Sequence, residues 1–163
     1  MYWVSGVDGM TSPRLYVWVV REAGENTRMS EKTHTSSYTQ QNLRDVEDQA
    51  PKFGMPSELQ SRFARRALEG ETLGLTLFTL EPNFRMPFGH KHEAQEEVYV
   101  VVRGSGRIKV DDEIIEVGEW DAIRFDSHTM RDVEAGPEGM EYLAFSAGDD
   151  PQDAEMVQSW WKD

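Results

Sequence analysis

His90 and His92 lie two residues apart in the run FRMPFGHKHEAQEEVYVVVRGSG, and Glu97 follows five residues after the second histidine. On an extended chain, residues i and i+2 project from the same face, so the two imidazoles stand side by side. Residues 93–96 are polar and can turn the chain, which brings Glu97 in from the neighbouring strand. Two neutral imidazole nitrogens and one carboxylate suit a first-row transition metal with open coordination positions.

The spacing from His90 and His92 through Glu97 to Gly104 resembles the first motif of the cupin superfamily, small β-barrels that often hold a metal on such a constellation. The glycine that opens the family motif, six residues before the first histidine, is Phe84 here. Asn83, one position away, also tolerates positive φ. The resemblance spans about residues 73–145. It implies an all-β fold, a single antiparallel jelly-roll barrel with an irregular N-terminal arm and one or two short helices. It further implies a divalent metal (Fe, Mn, Ni or Zn), a small-molecule ligand and a homodimer.

The family's second motif runs from Gly-Asp through a Pro-Gly turn to a third histidine ligand. The corresponding stretch is GEWDAIRFDSHTMRDVEAG. Asp121 takes the place of the motif aspartate, and the residue ten positions later is Arg131. Phe125, Asp126 and Ser127 stand where the turn prolines and glycine are expected. Arginine is always charged and does not ligate a metal. Three readings follow. His90, His92 and Glu97 form a site with open positions, and Arg131 steers an anionic substrate. Alternatively, the loop is shorter and His128 supplies a fourth ligand. In the third reading there is no metal, and Arg131 and Glu97 line a pocket for a polar molecule. Tyr99 shares the strand parity of Glu97 and is a candidate hydrogen-bond donor to a ligand.

The elements that must position these residues are short strands. From Leu73 onward, apolar alternation is interrupted every eight to twelve residues by turn residues, the pattern of a barrel or sandwich. Strands are expected over residues 73–78, 86–92, 97–102, 107–110, 113–117, 122–125, 129–133 and 140–145. Turns are expected at 103–106 and 136–139, and Asp111-Asp112 reads as a two-residue hairpin. Ser57 with Gln60 resembles a capping box, and Leu59, Phe63 and Ala67 share a helical face, so residues 57–69 read as a helix, with a strand over 63–68 as the alternative. Residues 154–161 read as a short closing helix. Residues 1–40 read as a flexible extension, with a strand over 15–20, His34 solvated and an alternative start at Met29. The domain is then 41–163, with its barrel at about 73–146.

Composition narrows the function. The chain has 163 residues, enough for one domain with a real core. Thirty acidic against 17 basic residues give a formal net charge of -13, which argues against nucleic acid and anionic membranes. The absence of cysteine excludes disulfides and thiol chemistry, and fits a cytoplasmic protein. No apolar run reaches the length of a membrane span. Two functions of different class remain: a metal-dependent enzyme of dioxygenase or isomerase type, or a non-catalytic small-molecule binding protein. The fold does not choose between them.

Overall fold

The computed structural model describes residues 33–34, 37–148 and 153–162. The expectations for residues 15–20 and for a start at Met29 lie outside them. Among the described residues the strands are β1 (Thr33–His34), β2 (Thr39–Gln40), β3 (Leu59–Phe63), β4 (Leu73–Leu80), β5 (Phe88–His92), β6 (Glu96–Val110), β7 (Glu113–Val117), β8 (Ala122–Phe125), β9 (Arg131–Ala147) and β10 (Ala154–Gln158). β1 and β2 pair with each other, and the remaining eight strands form one antiparallel sheet that curls on itself. β9 is its spine, pairing with β4, β5 and β6. Residues 41–53 form the irregular arm, with short 3-10 turns at Leu43–Asp45 and Ala50–Phe53.

The core follows from alternation. Glu97, Tyr99 and Val101 of β6 are buried while Val98 and Val100 are half-buried. Tyr99 meets Phe125 and Tyr142 edge to face or tilted, each at 4.9 Å between ring centroids, and Phe78 stacks on Tyr142. Rings this large each contribute about 1.5–3 kcal/mol or more when withdrawn from water. They fill the space between the two halves of the curled sheet and form the floor beneath His90 and Glu97.

Several expectations need correction. Residues 57–69 are not helical: β3 pairs with β4 from Leu59↔Leu80 to Phe63↔Thr76. Positions 59 and 63 share a face in a strand as well as in a helix, and the open edge of β4 decides between the two. The alternative strand over 63–68 is also displaced, because turns follow Phe63. Residues 154–161 are likewise not helical. β10 adds to the free edge of β5, from Ala154↔His92 to Gln158↔Phe88.

The expected turns at 103–106 and 136–139 lie inside β6 and β9, and the separate strands expected over 129–133 and 140–145 merge into the single strand β9, which begins at Arg131. There the ladder jumps from Gly104↔Met140 to Gly106↔Ala135, so several residues of β9 oppose one of β6 and the sheet bends. Gly104 has φ 77°, and a Cβ on it would collide with the Gly139 carbonyl oxygen. A glycine is required at this corner. The Asp111-Asp112 hairpin forms as expected, Val110 pairing with Glu113.

Candidate metal centre

β5 turns His90 and His92 to the same side, their rings 5.5 Å apart and nearly perpendicular. The chain then turns through residues 93–95, and β6 delivers Glu97 opposite them. His90 Nε2 lies 3.6 Å from Glu97 Oε2, and His92 Nε2 lies 3.5 Å from Oε1. One ligand atom from each of the three residues falls within 4.8 Å of the others. The loop ahead of β9 is tied to this strand: the His92 amide donates to the Ser127 carbonyl at 2.8 Å.

Arg131 enters from β9, where it is the register partner of His90. That register puts position 131 on the same site, as the motif spacing predicts. The side chain is fully buried. Its Nη2 donates to Glu97 Oε2 at 2.5 Å and its Nη1 to the Thr129 carbonyl at 3.0 Å. The guanidinium carbon sits 5.6 Å over the Phe125 ring. Tyr99 is also buried, its hydroxyl 3.3 Å from His90 Nε2. Both residues thus belong to the site, beneath its surface. His128 does not: it is exposed in the turn before β9 and is absent from the cluster of donors.

The electrostatics follow from burial and neighbours. Burial pushes the Glu97 carboxyl up, but the two imidazoles and the Arg131 guanidinium more than offset it and hold the group far below the usual carboxylate range. Burial lowers the His90 pKa, and the Arg131 charge lowers it further, against the pull of Glu97. His90 is therefore neutral at neutral pH, with a lone pair to offer. Burial drives the Tyr99 hydroxyl well above its ordinary value, so it stays protonated beside His90.

Residues 76–145 match the family model for the Cupin domain. The curled antiparallel sheet agrees with it, so residues 76–145 form a cupin domain. Among solved structures it is similar to oxalate decarboxylase from Bacillus subtilis (22% identity, TM-score 0.59, covering 71% of this chain and 31% of that one). It is also similar to a cupin protein from Bacteroides fragilis (17% identity, TM-score 0.58, covering 79% and 99%). The chain thus spans about a third of the length of the decarboxylase, and at these identities the likeness is one of fold. A search of the curated proteins found no match. Among the described residues, no helix is long and apolar enough to cross a membrane.

The residues present fit a metal. Both ring nitrogens of His92 and the Arg131 Nε are buried without a hydrogen-bond partner. A buried imidazole with an unused nitrogen facing a carboxylate and a second imidazole is a ligand set, whereas orphaned buried polar atoms are costly in a finished core. Asp153 also lies against this site. Its Oδ2 is 3.7 Å from His92 Nδ1.

Proposed function

We propose that this cupin binds one divalent transition metal through His90, His92 and Glu97 and uses it to bind or transform a small anionic molecule. The observation that carries the reading is the convergence of three ligand atoms within 4.8 Å, one of them on a histidine whose ring nitrogens make no hydrogen bond. Bound there, the metal would supply Lewis acidity toward an oxygen of the ligand. The protein supplies the rest. Glu97 contributes one negative charge and Arg131 cancels it, so a divalent ion would leave the site with its full double positive charge. That favours an anion at the open positions. One structural neighbour is named for the decarboxylation of oxalate, a small dianion, which agrees with this preference. Tyr99 and Phe125 close the floor and keep water from Glu97 and Arg131.

A second reading is favoured by one observation, the Arg131–Glu97 contact at 2.5 Å. An ion pair this close already satisfies the carboxylate, and the pocket then binds a polar molecule without metal. Elemental analysis of untagged protein separates the two. About one transition metal per chain, lost in His90→Ala/His92→Ala, is the expected result. A wild type that stays metal-free after loading and desalting overturns the metal reading and leaves the binding protein.

A further inference from the structure

We infer that Asp153 is the positioning residue for His92: it holds the His92 proton on Nδ1 and so leaves the Nε2 lone pair facing Glu97. The inference rests on the metal reading above. Asp153 is brought to the site by the C-terminal segment. β10 pairs with the histidine-bearing strand residue by residue, with Ala154 opposite His92 and Met156 opposite His90. The segment is fastened further along. Trp160 packs on Gly89, where a Cβ would come within 2.6 Å of the indole ring. Trp161 is buried, with the Arg85 guanidinium 4.5 Å from its ring and that of Arg107 at 5.5 Å.

So placed, the Asp153 side chain is only 6% exposed. It receives the amides of Glu93, Ala94 and Gln95 at 2.7, 3.2 and 2.8 Å, which fixes the turn between His92 and Glu97. One carboxylate thus sets both the approach of the two metal-bearing strands and the surroundings of a ligand ring. His92 has a carboxylate near each nitrogen, Asp153 beside Nδ1 and Glu97 beside Nε2. Glu97 is already opposed at 2.5 Å by the Arg131 guanidinium, which weakens its pull on a proton. Among the described residues, the hydrogen bonds that the Asp153 side chain accepts come from neutral amides. The proton therefore goes to Nδ1, and the Nε2 that faces the site stays free. At 3.7 Å the pair is just beyond hydrogen-bond distance, and less than about 1 Å of movement closes it. A ligand imidazole whose second nitrogen is held by a carboxylate is a stronger and better-aimed donor.

The test uses the full chain labelled with 15N-histidine. In metal-free wild type at neutral pH, long-range 15N–1H correlation should show His92 protonated on Nδ1. In Asp153→Asn that preference should be lost. Calorimetric titration with Zn2+ alone should give a dissociation constant about 10–100-fold weaker in Asp153→Asn. Asp153→Glu should recover part of the loss, and Glu155→Gln, on the exposed side of β10, should change nothing. A wild-type His92 protonated on Nε2, or an unchanged tautomer in Asp153→Asn, overturns the inference. So does Zn2+ affinity in that variant within about threefold of wild type. If the variant does not fold, the wild-type tautomer alone decides. If wild type takes up no Zn2+, the metal reading fails, while the tautomer spectrum still decides what Asp153 does.

Discussion

Asp132 offers a quantitative check on how this sheet is packed. It follows Arg131 in β9 and points to the other side, where it is 2% exposed. Its Oδ1 accepts the Val133 amide at 2.7 Å. Burial drives its carboxyl from 3.8 up to about 7, against the Val133 and Trp161 amides and the charges of Arg85 and Lys109. The folded protein therefore keeps this proton at pH values where the unfolded chain has lost it. Folding takes up a proton between about pH 4 and pH 7, so stability falls as pH rises through that window and levels off above it. The gap of about three pH units, at about 1.4 kcal/mol each, makes the ionised form cost on the order of 4 kcal/mol. Asparagine mimics the protonated acid and still accepts the Val133 amide. Urea unfolding of wild type and Asp132→Asn at pH 4 and pH 8 isolates this group. The two should differ by less than about 1 kcal/mol at pH 4, and the variant should be more stable by up to about 4 kcal/mol at pH 8. A difference that does not grow with pH, or a variant less stable at pH 8, would refute the reasoning.

Three further outcomes are expected. Glu97→Gln leaves the Arg131 guanidinium buried without its counter-ion, and chemical denaturation should show a loss of about 3–5 kcal/mol together with loss of bound metal. Arg131→His removes the buried cation and places an imidazole at the register partner of His90. Zn2+ affinity should rise about tenfold or more, as expected for a third nitrogen donor, and calorimetry measures it. Gly89→Ala drives a methyl group into the Trp160 ring. Hydrogen exchange across β5 and β10 should quicken, with an overall cost of about 1–3 kcal/mol.

The fold was legible wherever burial alternates locally. Glu97 and Tyr99 could be assigned to one face of a strand because their period is two, and the Asp111-Asp112 hairpin because turn chemistry is local. Misreadings arose where a partner far along the chain decides. Leu59 and Phe63 satisfy both helical and strand periods, and only the exposed edge of β4 makes β3 a strand. Residues 103–106 and 136–139 carry turn-forming glycines, but the two long strands use them to bend past each other at Gly104 and Gly139 without breaking the ladder.

The site divides in the same way. His90, His92 and Glu97 sit within one hairpin, so strand parity alone brings them together. Arg131 was placed by motif spacing, and the ladder puts it opposite His90. What spacing could not give was its depth: Phe125 packs beneath the guanidinium and Glu97 takes its charge, so it sets the potential of the site from behind. His128 is a histidine near the right position, yet it lies in the turn before β9, exposed and outside the cluster of donors. Asp153 carried no local signal at all, since it ends the acidic run GDDPQD. Its contact with His92 comes with the pairing of β10 and β5, and Trp160 packs on the glycine at position 89 of that ladder. The C-terminal segment therefore bears on the chemistry through a backbone ladder that neither motif contains. Variants that loosen Trp160 should weaken metal binding even though no ligand is changed.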